Sequence, residues 1–326
     1  MNTMGSDAPS LVVVTPIFED VDASSLLFRE LAGTTRGQAF IVAVDDGSVE
    51  CRPDAASIAH AGLDGVMIRL KRNVGHQRAI AIGLNYVAAR MPSAQQVVVM
   101  DSDGEDVPQT VETLLARLAP GNVDVVVATR LRRVETFRFK LFYAAYKWLF
   151  RLLTGRKIGF GNFVALKPAS LQRLVAMQEL WIHFAGCVLV SRLRVADCPL
   201  DRGPRYAGRS KMSFVGLALH GFRGLMVFAE DVLVRVGIAC VVVAALAVSG
   251  VAVAILLKAL GYATPGWFSI ALGILLLVFL QTGAVTLMTL MLTGVVRGGA
   301  IAAVDWEAFI DRVTTTRIDA GASEIG

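Results

Sequence analysis

Residues 236–257 contain no Asp, Glu, Lys or Arg, and beyond Lys258 neither do residues 259–296. A helix of 22 residues rises about 33 Å, enough to cross a hydrocarbon core of about 30 Å. Two membrane helices, near 237–257 and 268–292, are therefore expected, joined by the turn KALGYATPGW. Their weight explains why 55% of the 326 residues are hydrophobic and only 18% charged, a balance that excludes a disordered chain and a purely soluble one. Arg202, Arg205, Arg209, Lys211, Arg223 and Arg235 precede the first span and Arg297 follows the second, whereas the turn holds only Lys258. The positive-inside rule then puts both termini in the cytoplasm, with the chain a multi-pass protein of the inner (cytoplasmic) membrane. No basic, apolar, small-residue leader opens the sequence.

The remaining N-terminal part is long enough for one large domain, expected over residues 1–212. Segments 11–18 (LVVVTPIF), 39–44, 65–70, 96–100 and 123–128 are short β-branched runs that read as buried parallel strands. They alternate with helical patterns at 20–33, 53–61, 76–90 and 108–118, which predicts a doubly wound α/β sheet with its ligands beyond the carboxyl ends of the strands. Residues 137–153 mix seven aromatics with Arg138, Lys140, Lys147 and Arg151, a composition suited either to a helix lying in the membrane interface or to a core helix with solvated charges. A second amphipathic stretch, 213–236, leads into the first span. The tail, 293–326, carries a short expected helix around Asp305–Val313.

The net charge of +5 favours lipid or phosphate partners over nucleic acid. Cys51, Cys187, Cys198 and Cys240 show no metal-type spacing and read as reduced thiols. Two strand ends carry the chemistry. Strand two closes in VAVDDGS, where Asp45 and Asp46 can accept hydrogen bonds from a base or ribose or simply form a turn. Strand four closes in VVVMDSDGED, where Asp101 and Asp103 bracket one residue and reach one spot. Such hard oxygen donors suit Mg²⁺ or Mn²⁺ completed by a substrate diphosphate. Four acids within six residues (Asp101, Asp103, Glu105, Asp106) also need a cation or cationic partner beside them. His76 follows Gly75 as a second candidate phosphate contact.

The series VVVTPIFED, VAVDDGS, LKRNVGHQRAIAIGL, VVVMDSDGED, ATRLRR and RYAGRSKMS, ahead of two apolar helices, resembles the family 2 glycosyltransferases of GT-A fold, and among them the polyprenyl-phosphate branch. The resemblance covers roughly residues 10–292. It implies that Pro16, Phe18, Glu19, Asp45 and Asp46 line a nucleoside pocket, that Asn73 and Gly75 sit near ribose and diphosphate with Lys71 nearby, and that Asp101 and Asp103 hold the divalent cation. It further implies that Arg205, Arg209, Ser210 and Lys211 grip an acceptor phosphate, where Arg forks onto phosphate and Lys adds a point charge. Arg130 and Arg133 would assist. Asn162, in GFGNF, stands where the family is often acidic.

The expected reaction is an inverting transfer of a sugar from a nucleoside diphosphate-sugar, with uridine favoured, to an undecaprenyl-type polyprenyl phosphate. A hydroxyl acceptor with Asp197 or Asp201 as base is the alternative, and a non-catalytic nucleotide-sugar-binding subunit a third reading. Homo-oligomerisation stays open.

Overall fold

Valine-rich runs build the sheet because β-branched side chains pack well on a pleated, buried surface. In the computed structural model, which describes residues 9–130, 137–156, 159–206, 221–262, 264, 266–298, 304–317 and 323–325, these runs become β1 (Leu11–Ile17), β2 (Ala39–Asp45), β3 (Asp64–Leu70), β4 (Gln96–Val99) and β5 (Val125–Arg130). Two further strands, β6 (Phe160–Leu166) and β7 (Val195–Leu200), complete the central sheet. The order is β7-β5-β6-β4-β1-β2-β3, extended at the β3 edge by β8 (Ile310–Thr316) and the short β9 (Ser323–Ile325). β1 to β4 run parallel, with Leu11 opposite Ala39 and Val12 opposite Val97. β6 lies antiparallel between β4 and β5, and β5 pairs parallel with β7.

Alternation along each strand sorts side chains to two faces. Val12, Val14, Val42 and Val44 pack under α3 (His76–Arg90) through Ala79, Ile80, Leu84 and Val87. Val13, Ile41, Ala43 and Val98 face α1 (Val21–Thr35) and α4 (Val111–Leu118) through Leu27, Phe28, Leu31, Leu114 and Leu118. The central strands are covered on both faces, which is the doubly wound GT-A architecture expected from the strand and helix alternation. α2 (Ala56–His60), α6 (Pro168–Val175) and α7 (Phe184–Val190) complete this unit, drawn from residues 1–141, 158–227 and 303–326.

The tail departs from expectation. Residues 307–309 form one 3-10 turn, and the helix expected around Asp305–Val313 is instead β8, antiparallel to β3 with Val313 opposite Ile68 and Thr314 opposite Met67. The run Val313-Thr-Thr-Thr316 is β-branched throughout, which disfavours helix and suits a strand with an open edge to pair with. Trp306 meets the Tyr86 ring edge-on at 6.3 Å, and Arg90 pairs with Glu307 at 3.0 Å. From residue 303 on, the tail is part of the sheet unit rather than a free appendage.

The second unit, from residues 142–157 and 228–302, holds α8 (Ala229–Ala259) and α9 (Trp267–Gly298). Both are long and apolar enough to cross a membrane, with mean hydropathy of 2.9 and 2.3 in their most apolar windows, and both extend beyond the spans expected from sequence. A Cβ at Gly250 would stand 3.1 Å from Leu275, so the two helices approach closely there. In the same unit, the C-terminal part of α5 (Phe137–Thr154) exposes Trp148, Leu149 and Leu152, while Phe150 is buried edge-on against Phe228 at 5.6 Å.

Candidate active site

The carboxyl ends of β1 to β4 converge, and the two acids that close β2 prove to be structural supports as much as ligand groups. Asp45 is fully buried. Its Oδ1 accepts from the Ser48 amide at 2.9 Å and its Oδ2 from Arg69 Nε at 3.1 Å. Asp46 accepts from the Val74 amide at 2.7 Å and the Gly75 amide at 3.0 Å, one on each oxygen. It therefore holds the Asn73–Gly75 loop in place. Burial pushes its carboxyl above the usual range, although these amide bonds and His76 pull the other way. Gly47 follows with φ +72°, and a Cβ there would come within 2.5 Å of the Arg72 carbonyl carbon and 2.6 Å of the Asn73 nitrogen. Only glycine fits a left-handed turn in such backbone contact.

Glu19, also left-handed at φ 51°, donates its amide to Ser48 Oγ at 2.8 Å, and its carboxylate receives amides of residues 49–51, including Glu50 at 3.1 Å. Phe18 is exposed, Asn73 is exposed, and Pro16 is buried within β1 opposite Val44. Lys71 is engaged by the tail, its amide donating to the Phe309 carbonyl and its Nζ to the Ala308 carbonyl, both at 3.0 Å. Nothing in the sequence pattern pointed to that pairing, because the partner lies 237 residues away.

The acidic loop after β4 resolves its own repulsion. Asp106 is buried and its Oδ2 accepts the Asp101 amide at 2.9 Å, folding the loop back. Arg205 forks between Asp103 (Nη2 to Oδ2, 2.8 Å) and Glu105 (Nε to Oε1, 2.9 Å), and Arg202 pairs with the other oxygen of Glu105. Asp103 Oδ1 accepts the Glu105 amide at 3.0 Å. The Asp103 carbonyl takes the Tyr206 amide at 2.9 Å, and Gly104, at φ +87°, has the Tyr206 ring where a Cβ would stand, 2.6 Å away. The segment 201–206 is thus clamped onto the acidic loop. Arg205, expected at an acceptor phosphate, rests here on Asp103 and Glu105. Arg202, which sequence reasoning counted only as a juxtamembrane charge, joins it.

Asp101 Oδ1 lies 3.0 Å from His76 Nε2 and 3.4 Å from Asn162 Nδ2. Burial opposes its ionisation, but His76, Arg202 and Asn162 together outweigh that and hold the carboxyl well below the usual range. Burial would lower the imidazole, yet Asp101 at close contact, with Asp46 and Asp103 further off, raises it. Asp103 is raised by burial and by Asp101, against the pull of Arg205 and Arg202. A small cleft of about 20 Å³, room for little more than one water, opens beside the loop, bordered by Glu105, Asp106, Thr129, Phe163, Asp201 and Arg202.

Arg130 closes β5 opposite Leu200 of β7. Its side chain, and all of Arg133, Arg209, Ser210 and Lys211, lie outside the described residues. Among the described residues no group of three or more His, Cys, Asp and Glu forms a ready cation cage. Two carboxylates one residue apart do fit a Mg²⁺ or Mn²⁺ ion that keeps several waters and takes its other ligands from a substrate's phosphates.

Residues 24–181 match the model of the family described as "Glycosyl transferase family 2". The chain is 25% identical over 293 residues to the uncharacterized glycosyltransferase YkoT of Bacillus subtilis (strain 168), covering 85% of both chains. It is likewise 25% identical over 229 residues to the uncharacterized glycosyltransferase YkcC of the same organism, covering 67% of this chain and 68% of the relative. Among solved structures it is similar to glucosyl-3-phosphoglycerate synthase from Mycobacterium tuberculosis in complex with Mn²⁺, UDP-glucose and phosphoglyceric acid, at TM-score 0.47 and 17% identity over 70% of this chain and 79% of that one. It is also similar to the mannosyltransferase PcManGT from Pyrobaculum calidifontis in complex with GDP-Man and Mn²⁺, at TM-score 0.43 and 14% identity over 93% and 79%. The match over residues 24–181, together with glycosyltransferase relatives spanning most of its length, makes the chain a glycosyltransferase.

Proposed function

We propose that the chain transfers a hexose, with inversion, from a nucleoside diphosphate-sugar, UDP-linked in our reading, to a polyprenyl phosphate at the cytoplasmic face of the inner membrane. The observation that carries this reading is the packing of Arg202 and Arg205 against the Asp101/Asp103 loop, which sets guanidinium groups beside paired carboxylates where two phosphate groups would meet a cation. Asp101 and Asp103 would hold Mg²⁺ or Mn²⁺. When bound, that ion offsets the charge that builds on the departing diphosphate.

Asp46 fixes the Asn73–Gly75 loop by taking the Val74 and Gly75 amides, and so sets Asn73 at the entrance to the helix that begins at His76, a setting suited to a diphosphate. Arg205 rests on Asp103, and it would be released to an acceptor phosphate if Asp103 held the cation instead. With Arg209, Ser210 and Lys211 it would align that phosphate with the anomeric carbon. A phosphate monoester is largely dianionic near neutrality, its second pKa being about 6, so it attacks without a general base. The two apolar helices and the aromatic, basic α5 support a lipid-borne acceptor. Asp201 at the cleft supports the other reading, a hydroxyl acceptor deprotonated by a carboxylate.

The purified full-length chain, offered UDP-hexoses with Mn²⁺ and either polyprenyl phosphate or polyprenol, distinguishes the two. Product on the phosphate alone is expected, and product on the alcohol alone overturns the proposal.

A further inference from the structure

One polar chain inside the sheet unit has a direction fixed from its far end. The Phe184 amide, at the start of α7, donates to Gln77 Oε1 at 2.7 Å. A backbone N–H can only donate, so the oxygen of the buried Gln77 side chain is pinned there and its NH₂ points away. That Nε2 donates to Asn162 Oδ1 at 3.1 Å, which in turn pins the Asn162 amide. Asn162 Nδ2 is left 3.4 Å from Asp101 Oδ1 and 2.9 Å from His76 Nε2. Neither amide keeps a choice of orientation, although Asn and Gln oxygen and nitrogen are normally interchangeable by shape.

We propose that Gln77 and Asn162 are positioning residues for the cation-binding carboxylate, forming a directed relay from α7 through α3 and β6 to Asp101. Asn162 Nδ2 and His76 Nε2 both approach Asp101 Oδ1, at 3.4 and 3.0 Å, so the relay bears on where that oxygen stands. This inference rests on the reading of Asp101 and Asp103 as the cation pair. Groups that orient a metal ligand commonly set affinity by about 10- to 100-fold.

The test is Mn²⁺ binding to the full-length chain with UDP present, read from the electron paramagnetic resonance signal of free Mn²⁺, with melting temperature as the control for folding. Asn162→Ala and Gln77→Met are each expected to weaken Mn²⁺ binding about tenfold. Because the two act in series, the double variant should be no weaker than about twofold beyond either single one. Wild-type affinity in Asn162→Ala overturns the relay, as do losses that multiply in the double variant. If Gln77→Met does not fold, Asn162→Ala alone decides. A wild-type chain that retains no Mn²⁺ overturns the cation reading and the relay with it. Binding that is lost in Asp101→Ala but intact in Asn162→Ala overturns the relay and leaves the cation reading standing.

Discussion

Replacing Asp46 by asparagine isolates what this buried acid does, because shape and volume are kept while one acceptor oxygen becomes an NH₂. In the native site the two oxygens receive the Val74 and Gly75 amides at 2.7 and 3.0 Å. Hydrogen bonds to a charged group contribute about 1.5–3 kcal/mol each, and neutral ones about 1 kcal/mol. The substituted side chain keeps one bond, now neutral, and turns its NH₂ toward the other N–H, donor against donor. The gross loss is then about 2–5 kcal/mol on those magnitudes. Two things reduce it. Val74 and Gly75 are half-exposed, so water can reach a freed amide, and the buried carboxylate carries a desolvation cost that a neutral amide does not. A net loss of about 2 kcal/mol follows, which for a unit of this size lowers Tm by about 4–8 °C. Thermal unfolding measures the total, and hydrogen exchange of the peptide covering residues 71–76 locates it. An Asp46→Asn variant that melts with the wild type and shows unchanged exchange there refutes the assignment of Asp46 as the loop's anchor.

Other substitutions probe neighbouring joints. Gly47→Ala places a Cβ 2.5 Å from backbone in a left-handed residue and should cost at least about 2 kcal/mol, seen as a lower Tm together with weaker UDP binding in calorimetry. Trp306→Ala removes the edge-on contact with Tyr86 and should cost about 2 kcal/mol, roughly half the loss for a fully buried Trp, with increased exchange across β8 and over Lys71. Asp124 is held down to about 2 by hydrogen bonds from Arg194, the shortest at 2.6 Å, against an ordinary 3.8. Its contribution is therefore complete above pH 4 and lost as pH falls toward 2. The Tm gap between wild type and Asp124→Asn should shrink over that window, and a gap constant from pH 6 to pH 2 counts against the pairing.

The parallel strands and both apolar helices were legible because their signals are local: a β-branched run ended by Asp or Gly, and a charge-free stretch of spanning length. The position of Asp101 and Asp103 at the end of β4 was legible for the same reason, lying directly after such a run. What escaped was the non-local part. β8 looked helical while its partner was unknown, since an edge strand is stabilised by pairing with β3 rather than by its own propensity. β6 begins with a glycine-interrupted segment and β7 contains Pro199, so neither shows a strand's usual alternation. Asp45 and Asp46 carried the right residue type, but only the fold reveals that Arg69, Val74 and Gly75 already claim their oxygens. Gln77 reads in sequence as an unremarkable second residue of a helix, and its place in the relay depends on contacts with Asn162 and Phe184, each more than 80 positions away.

The most direct measurement of the proposed reaction is a panel of UDP- and GDP-hexoses supplied to the purified full-length chain with short-chain polyprenyl phosphate and Mn²⁺ or Mg²⁺, read by the mass of the lipid product. A hexose-phosphate-lipid formed from a UDP-sugar, abolished by chelation and by Asp103→Ala, is the predicted result. Full turnover in Asp103→Ala, or no glycosylated lipid from any donor in the panel, contradicts it.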